Sequence, residues 1–329
     1  MSKASLEFYD LSLEMHENII TAYGQIEHRT GQEIHLTIDG QIGKGEVMPL
    51  PGWSKSTAEQ TKKELESIQR DPDQFFLSPL GYSPEVQAGM TSAYWSQRAS
   101  SAREPLWSIL GGSADEIMVN ALIGGGTKDR FRRSILTALE QGNTTLKIKM
   151  GFPDDEDRLQ LVADEIAPDT RIRFDANASW SLQQAMDFID LADGLLGDRL
   201  EYIEDPVKDI KELQQIRTNL PVPIATDSLT PTIETITHAI EECLTDYVVL
   251  KPSLLGGIEP VLKIAKLAHD KGISVVVSST YDGPVGLYSW CHLAAAIGNG
   301  VAHGLGTASL IDDKRMESLI PTRGSIKLV

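Results

Sequence analysis

Apolar and polar positions alternate in short runs along the second two-thirds of the chain, and each run ends on a charged residue. Leu146-Lys147-Ile148-Lys149-Met150, set between Thr144-Thr145 and Gly151, reads as a short β-strand. Its period of two puts Leu146, Ile148 and Met150 on one face and Lys147 and Lys149 on the other. In Arg171–Asn177, Ile172, Phe174 and Ala176 share one face, and Arg171, Arg173, Asp175 and Asn177 the other. Further strand-like runs are Leu200–Pro206, Pro223–Ser228 and Tyr247–Pro252, with Glu204, Asp227 and Lys251 at their C-terminal ends. Amphipathic helical stretches lie between them at Ser181–Ala192, Ile210–Thr218, Ile233–Cys243 and Glu259–Lys271. Strand and helix thus alternate every ~20–30 residues, as in a parallel βα array.

A closed βα barrel gathers the C-terminal strand ends on one face, where active sites are built. Two ammonium groups on one strand face are costly to bury unless anions meet them. A lysine crowded by a second cation and partly desolvated loses proton affinity, which suits a base near neutral pH. Asp175, Glu204 and Asp227 form an all-oxygen set that favours a hard cation, Mg²⁺ or Mn²⁺, over Zn²⁺. A divalent ion there would polarise a substrate carboxylate, with Lys149 on one side of the neighbouring carbon and Lys251 on the other.

With Lys-x-Lys on the second barrel strand and Lys on the sixth, the chain resembles the enolase superfamily. It is most similar to the o-succinylbenzoate synthases of menaquinone biosynthesis, from about Gly43 to about Leu310. Gly45–Ser54 (GEVMPLPGWS) is similar to that family's loop over the active site, and Ser278–Leu287 (SSTYDGPVGL) to its seventh-strand turn. The resemblance implies a modified (β/α)7β TIM-type barrel with an α+β capping domain. It places the cap in residues 1–118 plus 306–329 and the barrel in 119–305. The implied reaction is Mg²⁺-dependent dehydration of 2-succinyl-6-hydroxy-2,4-cyclohexadiene-1-carboxylate. The resemblance makes Asp175, Glu204 and Asp227 metal ligands, Lys149 the base and then acid, and Lys251 a stabilising cation. Lys147, Arg173, Ser278 and Gly304 are its implied substrate contacts, and Trp53 is the candidate anchor of the loop. In two places the chain departs from the family pattern. Ser228 follows Asp227 where the family has a glutamate, and Asp282 replaces the glutamate of the seventh-strand turn. The alternative within the superfamily is an N-acylamino-acid racemase or a dipeptide epimerase. No acid appears in Gly304-Leu305-Gly306-Thr307-Ala308, where dipeptide epimerases carry Asp-x-Asp, so the epimerase is the weaker of the two.

A length of 329 residues suits a barrel plus a smaller domain, although 119–305 is short for a barrel of roughly 250 residues. In the first part, Ile34–Ile38 alternates before an Asp39-Gly40 turn signal. Helical patterns follow at Ser56–Arg70, with Ser56 and Glu59 placed for a capping box, and at Pro84–Arg103. The net charge of −17 argues against nucleic acid and anionic membrane as partners and offers no global steering for an anionic substrate, so the small anionic carboxylate that the resemblance implies would be drawn in by the metal and the Lys/Arg cluster. With no apolar stretch long enough to span a bilayer and no apolar core at Met1–Asp10, a cytoplasmic setting is expected, with oligomeric state open. Cys243 and Cys291 read as buried small apolar residues. Gly124–Thr127, after a first barrel strand expected at Met118–Ile123, reads as a βα turn rather than a phosphate cradle, His303 as a structural histidine, and Asp154–Asp157 as a solvated helix start. Glu201 and Asp205 read as solvated or supporting acids, because their parity or position takes them off the inward face.

Overall fold

The computed structural model describes residues 4–21, 24–220 and 222–328. Three antiparallel strands come first: β1 (Ser5–Thr21), β2 (Gly24–Ile38) and β3 (Gln41–Val47), in the order β1-β2-β3. Asp39 and Gly40, both with positive φ (52° and 76°), turn β2 into β3, as an Asp-Gly hairpin requires. Ile34 and Leu36 are wholly buried on one face of β2, beneath helix Ala58–Arg70 and helix Pro84–Ala102. The capping box of the first helix uses Thr57 and Gln60, one residue later than Ser56 and Glu59. Gly43 and Gly45 let β3 press against helix Pro84–Ala102; a Cβ at Gly45 would lie 2.0 Å from the carbonyl oxygen of Gly89.

Then comes β4 (Glu116–Met118), followed by seven parallel strands: β5 (Ala121–Ile123), β6 (Thr145–Lys149), β7 (Arg171–Asp175), β8 (Leu200–Glu204), β9 (Ile224–Thr226), β10 (Tyr247–Leu250) and β11 (Ser274–Val277). Their order, β11-β10-β9-β8-β7-β6-β5, is that of the sequence. The ring closes through residues 302–304, where His303 bridges Val119 and Gly304 bridges Ser278, both in parallel sense. This is the modified barrel that the resemblance implied. The run expected as one strand, Met118–Ile123, is split. Glu116–Met118 pairs with β12 (Ser325–Lys327), and Ala121–Ile123 enters the barrel. The chain after residue 305 has no further long helix, only turns at Ala308–Leu310 and Lys314–Leu319 before β12. It lies on the antiparallel sheet, where Ile311 bridges Met15 and Arg315 pairs with Glu33 at 2.6 Å.

The apolar faces of the barrel strands meet the surrounding helices: Leu146, Ile148, Ile172 and Phe174 pack with Phe131, Ile135, Leu159 and Ile189. Inside the ring, Tyr202, Ala225, Val249 and Val276 fill the space from four successive strands. Capping boxes at Ser181–Gln184 and Thr232–Thr235 start two of the outer helices. A third apolar cluster joins Leu13, Met48 and Ala88 of the N-terminal part to Val248, Val277 and Leu287 of the barrel, so the two parts share one core. Among the described residues no helix is long and apolar enough to cross a membrane.

Other readings fall out as follows. Gly124–Thr127 is a βα turn in which Thr127 caps helix Lys128–Glu140. His303 is buried and its Nδ1 accepts from Val277 N at 3.1 Å; burial, with Arg173 nearby, pushes its pKa down to about 3, so it is a neutral structural histidine. Cys291 is buried as expected. Cys243 is exposed, because it lies past the end of helix Ile233–Glu241 with φ 52°. Asp155 is not solvated: its carboxylate accepts from Gly151 N, Phe152 N and Trp180 Nε1 and ties the β6 loop to its helix.

Gly45→Ala should destabilise the protein by about 1–3 kcal/mol, the usual range for overpacking. Thermal and urea unfolding would show it, and an unchanged midpoint would mean that β3 and the helix separate easily.

Candidate active site

Because side chains alternate, the lysines of β6 point into the barrel while Leu146 and Ile148 point out. In-register pairing sets Lys147 beside Arg173, Lys149 beside Asp175, and Asp175 beside Glu204. The inward charges therefore meet in layers. Lys147 Nζ lies 2.9 Å from Asp175 Oδ2 and 2.7 Å from Glu204 Oε2. Lys149 Nζ donates to Asp175 Oδ2 at 2.7 Å and to Asn177 Oδ1 at 2.9 Å. Lys251, just past β10, is ion-paired with Asp227, just past β9. Asp175 and Glu204 are at most 1% exposed.

Burial raises the energy of every charge here, and the neighbours decide the outcome. Burial pulls the Lys147 ammonium down, but Asp175 and Glu204 together hold its pKa well above the ordinary value. Lys147 is thus a fixed cation beside Lys149. Burial would raise Asp175, but Lys147 and Lys149 overcome it and hold the acid below its ordinary range. Glu204 moves the other way, up to about 8, through burial and the charge of Asp175, with Lys147 pulling against them.

Asp205 follows Glu204 with φ 42° and is fully buried. Its carboxylate accepts from Asp227 N at 3.0 Å, Ser228 N at 2.6 Å and Ser228 Oγ at 2.5 Å. Ser228 is therefore a donor to an acid supplied by the neighbouring strand, and Asp205 positions the backbone of Asp227. Asn177 and Asp205 both carry site geometry, although sequence reasoning assigns the first no role and the second only that of a solvated or supporting acid. Their signal is local: an asparagine two residues past a strand end, and an acid before a proline.

The loop after β3 covers this mouth. Trp53 stacks over Lys251, with Nζ 4.3 Å from the ring centroid, a cation–π contact. The loop is fastened from below by Arg29, which is 1% exposed and donates to Met48 O and Pro49 O at 2.7 Å each and to Tyr281 O at 3.1 Å. Glu46 Oε1 accepts from Gly283 N at 2.6 Å. Asp282 gathers Ser279 Oγ, Thr280 N, Thr280 Oγ1 and Ser253 Oγ, so the shorter acid of this turn is fully engaged. No sequence signal marks Arg29, which sits in an otherwise unremarkable strand. Ser278 and Gly304 face each other across the closing bridge, where a Cβ at Gly304 would lie 2.7 Å from Ser278 Oγ.

Arg173 sits differently from the expectation of a substrate contact. It is wholly buried, stacked over Tyr202, and its guanidinium is spent on Glu201 (2.7 and 3.0 Å), Asn120 Oδ1 (3.2 Å) and Ala302 O (2.7 Å). It ties β7 and β8 to the closing segment inside the barrel. Glu201 reaches it because the β7–β8 register shifts between Ile172 and Arg173, which leaves Glu201 as the extra, bulged residue. Strict alternation on β8 misses that bulge.

As the side chains stand, no three described His, Cys, Asp or Glu groups converge on one point that would hold a metal ion. The lysines take the carboxylate oxygens instead. The chemistry of the donor set nevertheless fits a hard divalent cation. Three carboxylates stand on successive strand ends, Asp175 and Glu204 fully buried and Asp227 partly so, and Glu204 is raised by burial and by the charge of Asp175, with Lys147 as the cation at its Oε2.

The comparisons agree with this geometry. Residues 130–328 match the family model described as Enolase C-terminal domain-like, well over half of the chain. The chain belongs to the enolase superfamily. Residues 2–96 match a second model, MenC, N-terminal domain. An o-succinylbenzoate synthase of Yersinia enterocolitica is 28% identical over 308 residues, covering 92% of this chain and 90% of that protein. Among solved structures, the substrate-liganded L-Ala-D/L-Glu epimerase of Bacillus subtilis superposes with a TM-score of 0.88 at 20% identity, over 100% of this chain and 97% of that one. MenC from Desulfotalea psychrophila does so with a TM-score of 0.82 at 22% identity, over 99% and 100%. At such identities the structural likenesses speak of the fold alone.

Arg173→Met should cost about 1–3 kcal/mol, because it strands the part-buried carboxylate of Glu201 and the buried acceptors Asn120 Oδ1 and Ala302 O. Replacing Glu201 as well should recover part of it. Urea unfolding of the single and double variants checks this. A single variant of normal stability with only a raised KM would restore Arg173 as a substrate contact.

Proposed function

We propose that this chain is an o-succinylbenzoate synthase, a lyase of menaquinone biosynthesis. It removes water from 2-succinyl-6-hydroxy-2,4-cyclohexadiene-1-carboxylate to leave the aromatic acid. The observation that carries the reading is a pair of ammonium groups, Lys149 and Lys251, held at the barrel mouth by separate acids, Asp175 and Asp227. The curated relatives bearing that name along nearly the whole chain support it, as does the match of the N-terminal part to the MenC model.

Asp175, Glu204 and Asp227 would hold the divalent cation, for which Mg²⁺ is the reading and Mn²⁺ a substitute. When bound it supplies a Lewis acid for the substrate carboxylate. Lys149 takes the proton from the carbon beside that carboxylate. It then returns a proton to the departing hydroxyl on the same face, so one residue serves as base and acid. Asn177 and Asp175 hold Nζ in place for both tasks. Lys251 stays charged and offsets the negative charge that develops on the substrate, with Trp53 stacked on it and shielding it from water. Lys147, a fixed cation, holds the carboxylate end. Ser278 and Gly304 would meet the succinyl tail, a reading supported by their close approach, which a Cβ at Gly304 would not allow. The substrate is a small anionic carboxylate, nucleic acid and membrane are not partners, and the setting is cytoplasmic. A net charge of −17 supports the exclusion of polyanions.

Purified protein with Mg²⁺ and the diene should show the absorbance change of aromatisation. Chelator should abolish it, and added Mg²⁺ or Mn²⁺ should restore it. Lys149→Ala and Asp175→Asn should each lose roughly 10³-fold or more in kcat, within the range expected for losing acid–base or electrostatic catalysis. The racemase alternative separates in deuterated water. Fast α-hydrogen exchange with both enantiomers of an N-acylamino acid, alongside negligible dehydration of the diene, would replace this reading.

A further inference from the structure

Beside the lysine–carboxylate cluster, a cavity of about 400 Å³ runs outward between the covering loop and the loops after β9 and β10. Asp227, Lys251 and Trp53 bound its inner end. Leu80, Ile236, Leu254 and Leu255 give it apolar walls. Two polar groups on these walls have no role in the site described above. Glu85, in the first turn of helix Pro84–Ala102, is 2% exposed, and its Oε2 is buried without a hydrogen-bond partner. No ion pair reaches this carboxylate from any described residue. Thr230, 3% exposed, likewise has a buried hydroxyl with no partner.

An unsatisfied buried carboxylate is expensive, and a structure keeps one where a ligand completes it. Glu85 stands in the first turn of its helix, at the positive end of the helix dipole. The helix is fixed over the Lys251 loop, because Gly257 fits closely against Ala88 and Thr91, so Glu85 cannot swing away with its backbone. Lys55 also lines the cavity, but it is exposed at the rim. The cavity therefore offers cationic Lys251 at one end, a carboxylate and a hydroxyl acceptor on its wall, and an apolar passage between them.

We infer that Glu85 and Thr230 form a subsite for an organic cation, a guanidinium or primary ammonium carried on a short apolar stem. A small molecule that uses it can keep an anionic group at the lysine end, so the subsite selects zwitterionic or amine-bearing ligands. This goes beyond the dehydration, whose substrate carries no cation, and it does not depend on which reaction the lysines perform.

The test is isothermal titration of the active protein with n-butylguanidinium and with its uncharged counterpart n-butylurea. The guanidinium should bind the wild type, and the urea should bind about ten-fold more weakly or worse, the usual difference for a hydrogen bond to a charged partner. Glu85→Gln, which keeps shape and removes charge, should weaken the guanidinium about ten-fold and leave the urea unchanged. If that variant does not fold, Thr230→Val serves in its place. It should weaken the guanidinium about three-fold, the scale of one modest hydrogen bond. The inference is overturned if the wild type does not bind the guanidinium or binds the urea as tightly. It is also overturned if Glu85→Gln, or Thr230→Val in its place, leaves guanidinium binding unchanged. Because the readout is binding, a protein that dehydrates nothing could still pass, and an active dehydratase could still fail.

Discussion

Everything in this molecule is arranged around a cluster of like charges interleaved with their opposites inside a barrel. Ammonium and carboxylate groups are each too costly to bury alone, and a buried pair returns that cost only with good geometry. Here parallel in-register strands supply the geometry. Lys147, Lys149, Asp175 and Glu204 sit on adjacent rungs, so each cation meets an acid without any side chain bending far from its strand. The acids are not fully neutralised, and Glu204 is left raised by its neighbour. A divalent cation is the group that such a surplus suits.

The rest of the fold keeps that cluster dry and still. Below it, the buried Arg173 and the part-buried Glu201 close the barrel interior with an ion pair that the β8 bulge makes reachable. Beside it, Asp205 holds the backbone of Asp227 and Ser228. Above it, Arg29 binds two carbonyls of the covering loop and one of the seventh-strand turn, so a single buried guanidinium sets the distance between cap and barrel. Glu46 does the same from the other direction through Gly283. Its pKa is pushed up to about 7 by burial and by Asp282, against the pull of two backbone donors and Arg29. Trp53 then lies where the loop is pinned, over Lys251.

Much of this was legible because strand alternation is strict wherever one face is apolar. Leu146, Ile148, Ile172 and Phe174 forced Lys147, Lys149 and Asp175 inward, and the βα order forced their ends together. The same rule failed where alternation is interrupted. Glu201 was misread because a bulge is invisible in a run of five residues, and Arg173 was then left without the partner that makes it structural. Met118–Ile123 looked continuous, yet its first half is claimed by a distant tail strand that no local pattern reveals. Arg29, Glu46 and Asp155 act through contacts with backbone groups, which carry no side-chain signature. Gln60 took the capping role from Glu59 through a shift of one residue, the scale on which helix ends are least determined.

The central claim is that Asp175, Glu204 and Asp227 exchange their lysine partners for one divalent cation. A crystal structure with Mn²⁺, read by anomalous scattering, tests it most directly. The account predicts a single strong peak in bonding contact with oxygens of all three carboxylates, about 2.0–2.3 Å away as hard oxygen sites require. Lys147 and Lys149 would be released from Asp175, at least in part. A peak elsewhere, or three carboxylates still held by lysine at saturating metal, would contradict it.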